Sequence, residues 1–279
     1  MKGKLYLCPT PIGNLSDISE RVKHTLSSVD IIAAEDTRNT LKLLNHFDIQ
    51  VPLTSYHEHN RASKGKNLIE KLLNGKNIAL VSDAGMPAIS DPGEDLVKLC
   101  IENDIEVISL PGPSAFTTAL VASGLSAGRF SFEGFLSVNR KNRFEHLEEI
   151  KNDTRTLIFY EAPHKLLNTL KDMLSVLGNR KITLARELTK KFEEYIRTDL
   201  ENAVKKYESE LPKGEFVLII EGKNKEELKE EERAKLPSCE ELLKKYIACG
   251  KSGKPLVNMV ADELGIPKRE VYNIYLKIK

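Results

Sequence analysis

Val81-Ser82-Asp83-Ala84-Gly85-Met86-Pro87-Ala88-Ile89-Ser90-Asp91-Pro92-Gly93 follows the apolar run Ile78-Ala79-Leu80-Val81, which reads as a buried strand. Within a dozen residues it places two Gly, two Pro, two Asp and two Ser. That composition neither continues a strand nor opens a long helix at once. It predicts an ordered loop just past the carboxyl end of a strand, which in open α/β sheets is where ligands bind. Small residues bring backbone N–H and C=O groups against a ligand, and Asp83 and Asp91 offer acceptors to hydroxyl or amino groups. Standing alone, the loop would equally be an ordinary turn rich in breakers.

Two more loops of the same kind flank it in the chain. Leu5-Tyr6-Leu7-Cys8 ends in Pro9-Thr10-Pro11-Ile12-Gly13-Asn14-Leu15, and Glu106-Val107-Ile108-Ser109-Leu110 ends in Pro111-Gly112-Pro113-Ser114-Ala115. Ser114 is placed to cap the helix expected over 116–123, or to present a hydroxyl and amides to a ligand. The apolar run 30–34 enters Glu35-Asp36-Thr37-Arg38, two carboxylates and a guanidinium at a strand end. They are either paired for function or acids in the first turn of a helix over 40–47. Leu53-Thr54-Ser55-Tyr56 leads to His57-Glu58-His59, which lacks zinc-site spacing and a third ligand and reads as a polar rim. With helices over 62–74 and 94–103, strand, Gly/Pro loop and helix recur about five times. That predicts a parallel sheet with helices on its faces. The loops fit neither G-x-G-x-x-G nor the Walker A spacing, so neither a dinucleotide nor an ATP site is the first reading.

From Phe130-Ser131-Phe132-Glu133-Gly134-Phe135-Leu136 onward the style changes, and the basic stretch Arg140-Lys141-Asn142-Arg143 follows. Strands at 156–160, 181–185 and 214–222, an extended stretch at 192–198 and helices at 164–177 and 199–209 predict a second α/β lobe of mixed strand direction. The segment 223–235 is nearly all Lys and Glu, a linker or a solvated helix. Three short helices close the chain, the last two separated by Gly265-Ile266-Pro267, a helix-turn-helix type of turn. We divide the chain into an N-terminal α/β lobe (1–122), a second α/β lobe (123–222), a charged linker (223–237) and a three-helix tail (238–279).

The whole chain of 279 residues has a net charge of +1, which removes any bulk attraction to polyanions, so such a site must be a local patch. Lys251, Lys254, Lys268 and Arg269 make the tail the basic region. Four scattered Cys without CxxC spacing read as reduced structural thiols, and no metal is expected. No apolar stretch is long enough for a signal peptide or a membrane span, so a cytoplasmic setting is expected.

Residues 9–15, 35–38, 82–93, 111–115 and Arg186-Glu187-Leu188-Thr189-Lys190 occur in this order. Together they closely resemble the rRNA ribose-methylating branch of the tetrapyrrole methylase superfamily. The similarity covers nearly the whole chain, with Met86 where Thr is more familiar. The resemblance implies two α/β lobes with S-adenosylmethionine folded in the cleft between them, and a homodimer. It further implies 2′-O-methylation of a cytidine in the decoding centre of 16S rRNA, with 16S rRNA or the small ribosomal subunit as partner. Carried over by position, the cofactor residues implied are Pro11, Gly13, Ser82, Asp83, Gly85, Met86, Ile89, Ser114, Ala115, Tyr160, Ala162, Leu188, Gly214 and Glu215.

A ribose hydroxyl needs its proton accepted. Asp36 or Glu187 suits that task, as does Lys190 if burial lowers its pKa. Arg38, Arg186 and Lys190 suit flanking phosphates, and the tail residues Lys251, Lys254, Lys268 and Arg269 suit RNA phosphates too. Alternatively, Arg186 and Glu187 form a salt bridge at a strand end. Two other functions stay open here: a small-molecule methylase of the tetrapyrrole type, and a nucleic-acid-binding module with a vestigial cleft.

Overall fold

The computed structural model describes residues 1–91, 93–235 and 237–278. Pro92 of the central loop, Leu236 of the expected linker and Lys279 at the end of the tail lie outside the described residues. The chain divides into two compact units, Met1–Gly222 and Lys223–Lys279.

The first unit holds two sheets. In one, β1 (Leu5–Leu7), β2 (Ile31–Ala34), β3 (Leu53–Ser55), β4 (Ile78–Val81) and β5 (Val107–Ser109) lie in the order β3-β2-β4-β1-β5, every pair parallel. Helices α1 (Glu20–Ser28), α2 (Thr37–His46), α3 (Arg61–Leu73) and α4 (Gly93–Glu102) provide the crossovers, and α5 (Ala115–Ser123) follows β5. β4 is apolar throughout because both its faces are covered. Ile78 and Leu80 enter a cluster with Leu68 and Leu96, whereas Ala79 and Val81 enter another with Val22, Leu26 and Leu44.

The other sheet has the order β6-β7-β10-β8-β9, from β6 (Phe130–Phe135), β7 (Thr156–Glu161), β8 (Lys181–Arg186), β9 (Glu194–Asp199) and β10 (Phe216–Ile220). Only β6 and β7 pair in parallel, the other pairs being antiparallel, which is the mixed direction expected. One face packs on α7 (Pro163–Leu177) and α8 (Leu200–Ser209) through Phe159, Leu218, Leu170, Met173 and Ala203. The opposite face, Ile158, Ala185, Val217 and Ile219, packs on Ala119 and Leu120 of α5. A helix that follows the first sheet in sequence is therefore core for the second.

The basic stretch at Arg140 opens a helix that the periodicity did not signal, α6 (Arg140–Ile150). Only its Leu147 is buried, so no apolar stripe marks it in the sequence. Asn139 caps it, its side-chain oxygen accepting from the N–H groups of Lys141 (2.9 Å) and Asn142 (3.3 Å). Arg143 is not a surface cation: its Nε and Nη2 donate to Asp172 Oδ2 on α7 at 2.8 and 2.6 Å, and its Nη1 to the Ser137 carbonyl at 2.9 Å.

In the second unit the Lys/Glu segment is the solvated helix rather than a bare linker, α9 (Lys225–Lys235). It is followed by α10 (Cys239–Ala248), α11 (Gly253–Leu264) and α12 (Lys268–Ile278). These last three helices bury a core of their own, including Leu242, Leu243, Val260, Val271 and Tyr275. A capping box of Ser238 and Glu241 starts α10, and Gly265 ends α11 in the left-handed conformation at φ +63°.

The Arg143–Asp172 pair is nearly dry, with side-chain exposures of 11% and 9%. Removing Arg143 leaves the buried Asp172 carboxylate facing only the exposed Arg140, 3.6 Å away, among the described residues, so Arg143→Met should destabilise the first unit by about 3 kcal/mol. Urea unfolding followed by circular dichroism reads this as a lower midpoint at unchanged slope.

Candidate active site

The loops at the carboxyl ends of β1 and β4 are tied together by backbone. Thr10 N–H donates to the Gly85 carbonyl at 2.9 Å and Gly85 N–H returns the bond to Thr10 at 3.0 Å. Thr10 Oγ1 also donates to the Ser82 carbonyl, and Ser82 Oγ to that of Gly85. Asp91 closes the central loop, its Oδ1 accepting from the N–H groups of Ala88 (2.9 Å) and Gly93 (2.8 Å). Four of the six non-glycine residues with positive φ among those described are in loops at this site: Ala88, Ser90, Glu187 and Thr189. Backbone strain collects there, as it does at binding sites.

A cavity of about 340 Å³ opens between these loops and the second sheet. The first sheet contributes Ile12, Glu35, residues 82–86 and 89–91, and Ser114–Ala115; the second contributes Phe135, Tyr160, Glu161, Ala162, Ala185, Leu188, Lys190 and residues 215–217. Eleven of the expected cofactor positions line it: Ser82, Asp83, Gly85, Met86, Ile89, Ser114, Ala115, Tyr160, Ala162, Leu188 and Glu215.

Three do not. Pro11 and Gly13 line a neighbouring cavity instead. A Cβ on Gly13 would stand 2.5 Å from Lys190 Cγ and 2.7 Å from Thr189 Oγ1, so this Gly lets the first loop rest on the 188–190 loop. Gly214 lines neither cavity. At φ +82°, with a would-be Cβ 2.4 Å from Glu187 Cγ, it makes room for that carboxylate.

Ser114 occupies the N-cap position of α5 but makes no side-chain capping bond, so the capping role does not hold for its hydroxyl. Ser114 and Ala115, at the N-terminus of α5 where helix amides are left without partners in the helix, line the cavity.

The three bases expected from the sequence fare differently. Asp36 caps α2 by accepting from Arg38 N–H at 2.8 Å and pairs with the Arg38 guanidinium at 2.6 Å. The hydrogen bond to that guanidinium holds its carboxyl down to about 2, and neither cavity is lined by it. Glu187 accepts from Glu215 N–H at 2.9 Å, which with the Lys190 ammonium holds its pKa below the usual carboxylate range. Lys190 is no base. Burial alone would lower its pKa, but hydrogen bonds to Glu215 (2.9 Å) and Glu187 (3.0 Å) outweigh burial and raise it.

Glu35, the neighbour of Asp36, lines the cavity together with Asp83, Asp91, Glu161 and Glu215. Burial raises its pKa, and the carboxylates of Asp83, Asp91 and Asp36 add to this against a hydrogen bond from the Asp83 backbone. The pair Glu35-Asp36 is visible in the sequence; which of the two faces the cavity is not.

Arg186 pairs with Glu194 at 3.1 Å and donates to the Lys213 carbonyl at 2.8 Å, so it is not the partner of Glu187. Arg38 is exposed and held by Asp36, and neither arginine lines a cavity. Lys251, Lys254, Lys268 and Arg269 are all exposed in the second unit. Lys251 lies 5.1 Å from the centre of the Tyr246 ring.

Residues 4–204 match the family Tetrapyrrole (Corrin/Porphyrin) Methylases. The ribosomal RNA small subunit methyltransferase I of Halalkalibacterium halodurans is 53% identical over 98% of this chain and 95% of its own. That of Bacillus subtilis is 48% identical over 98% of this chain and 94% of its own. The crystal structure of diphthine synthase shares the fold, with a TM-score of 0.62 at 14% identity over 80% of this chain and 91% of its own. So does uroporphyrin-III C-methyl transferase from Thermus thermophilus, solved in complex with S-adenyl homocysteine, at a TM-score of 0.57 and 15% identity over 78% of this chain and 97% of its own. The chain belongs to the tetrapyrrole methylases and, among them, to the family of ribosomal RNA small subunit methyltransferase I.

A carboxyl whose pKa rises on folding opposes folding when ionised, and the penalty fades as pH falls through the raised pKa. Glu35→Gln should therefore raise the thermal midpoint at neutral pH. The gain should disappear below about pH 4, where folded and unfolded carboxyls are both protonated. Scanning calorimetry across that range tests it.

Proposed function

We propose that this protein transfers a methyl group from S-adenosylmethionine to the 2′-hydroxyl of a cytidine in the decoding centre of 16S rRNA. The near-full-length relationship to ribosomal RNA small subunit methyltransferase I carries this reading, since 274 residues align in each of the two relatives, tail region included. That relationship weighs against a small-molecule methylase of the same fold.

The cavity suits the cofactor. Asp91 Oδ2 is buried without a hydrogen-bond partner and stands ready for a hydroxyl or an amino group. Asp83 adds a second acceptor, the amides at Ser114–Ala115 suit a carboxylate, and Met86, Ile89, Leu188 and Val217 give apolar walls. Bound there, S-adenosylmethionine would supply a methyl carbon already activated by a positively charged sulfur.

The chain's own task is to position the acceptor oxygen and take its proton. Glu35 fits the second role. It lines the cavity, no arginine or lysine among the described residues is paired with it, and its raised pKa makes it a better proton acceptor than Asp36 or Glu187. The hydroxyl proton would pass to a Glu35 carboxylate oxygen as the methyl group moves to the 2′-oxygen, the broken carbon–sulfur bond leaving its electron pair on the sulfur of a neutral thioether. Lys190, fixed between two carboxylates, braces the 187–190 loop against the loop at 214–215.

Glu35→Gln should slow single-turnover methylation by roughly 10²-fold while leaving cofactor affinity in place. Asp36→Asn should change it only a few-fold. The reverse ranking would return the role to Asp36.

We assign the tail to RNA phosphates and the whole to a cytoplasmic homodimer. β6 is an edge strand of its sheet and leaves Phe130 and Phe135 exposed, at 39% and 56%, with Val138 just beyond at 72%. Phe132 instead stacks on Phe116 at 4.7 Å and belongs to the core. Joint replacement of Lys251, Lys254, Lys268 and Arg269 by Ala should weaken RNA binding and flatten its log–log salt slope by about 0.7 for each phosphate left without its cation. Light scattering should give twice the chain mass before and after that replacement. A monomer would overturn the dimer, and an unchanged salt slope the role of the tail.

A further inference from the structure

The second cavity, about 240 Å³, adjoins the cofactor cleft and shares Ser82 and Asp83 with it as a partition. Its other walls come from the first loop, through Thr10, Pro11, Gly13 and Leu15, and from α2, through Asn39, Thr40, Lys42 and Leu43. A methyl acceptor has to lie beside the methyl donor, and this cavity has two wall residues in common with the cofactor cleft.

Its chemistry is selective. Asp83 Oδ1 accepts from Asp36 N–H at 3.1 Å and Oδ2 from Asn39 Nδ2 at 3.2 Å. A carboxylate has about four lone-pair sites, so acceptor capacity remains on both oxygens. Asn39 Nδ2 carries a second N–H beside it. The couple thus presents an acceptor next to a donor, which complements the exocyclic amine and ring nitrogen of cytosine. Uracil would turn a carbonyl oxygen toward the carboxylate, leaving both acceptors unpaired. Leu15, 40% exposed although it is a large aliphatic side chain, and Leu43 offer apolar surface to a ring. Lys42 is exposed at the rim, where an ammonium suits a phosphate.

We propose that this second cavity takes the base of the target nucleotide, unstacked from its RNA, and that Asn39 with Asp83 reads it as cytosine. The proposal rests on the reading above, that the chain methylates a cytidine of small-subunit RNA. Extruding a base into a pocket brings its ribose to the partition, where the 2′-hydroxyl meets the cofactor cleft.

The test uses the full chain and small ribosomal subunits carrying either cytidine or uridine at the methylated position. Wild type should prefer cytidine. Asn39→Ala should lower kcat/KM on cytidine subunits by about tenfold and narrow the cytidine-to-uridine ratio by a similar factor. Leu15→Ala, which leaves both members of the Asn39–Asp83 couple in place, should lower kcat/KM on both subunits. Affinity for S-adenosylmethionine, measured by calorimetry, should stay within about twofold of wild type in both variants. A wild type that treats the two subunits alike would overturn the inference, as would an Asn39→Ala ratio equal to that of wild type. A wild type that transfers methyl to neither subunit would instead overturn the function proposed above, and the inference with it.

Discussion

Two backbone hydrogen bonds between Thr10 and Gly85 hold this site together. In a parallel sheet the strands cannot be joined by tight hairpins, so their carboxyl ends are left as a row of independent loops. Something must fix those loops relative to each other before they can act as one surface. Here β1 and β4 are neighbours in the sheet, and their loops add a short antiparallel bridge beyond it. Ser82 and Thr10 back the bridge with hydroxyl bonds to the same stretch of backbone. The strained residues Ala88 and Ser90 sit on the loop so anchored. Rigidity at the base of the loop is what lets its tip hold an unpartnered carboxylate oxygen at Asp91.

The second sheet completes the cleft rather than merely facing it. α5 leaves the first sheet through Ser114 and lands on Ile158, Ala185, Val217 and Ile219. The two sheets therefore share a helix, and the first compact unit runs unbroken to Gly222. The first loop rests on the second sheet's loop at 188–190 because Gly13 has no side chain to hold them apart. Lys190 in turn joins Glu187 and Glu215 into a single charged bracket.

Charge around the cleft is set by partner. Asp36 commits its carboxylate to Arg38 and to a helix N-terminus, and Glu187 to Lys190 and a backbone amide. Arg186 is taken by Glu194. Glu35 faces the cavity beside Asp83 and Asp91, whose charges add to its burial in raising its pKa. Local pairing thus holds the Asp36 and Glu187 carboxyls low and the Lys190 ammonium high, whereas burial raises the pKa of Glu35. The tail has its own apolar core and keeps its basic residues exposed.

Much of this is legible in the sequence. Apolar runs such as 78–81, each followed by a Gly/Pro loop and a helix, read as buried parallel strands once the pattern recurs, because hydrophobic period and breaker chemistry are local properties. The loops at 82–91 and 114–115, the residues Tyr160, Ala162, Leu188 and Glu215, and the helix-turn-helix style of the tail follow from the same local signals and from the family resemblance. α6 does not, since a helix that buries one leucine has no stripe to detect. Nor does the choice between Glu35 and Asp36. Adjacent carboxylates look alike in a sequence, and which one is neutralised depends on where α2 begins and which arginine its cap can reach. The resemblance assigns Pro11 and Gly13 to the cofactor beside Ile12, yet a loop has two sides, and only packing against α2 turns theirs toward a second cavity. Sequence determines the loops and their chemistry. Tertiary structure alone decides which side chain each loop turns inward, because that depends on neighbours distant in the chain.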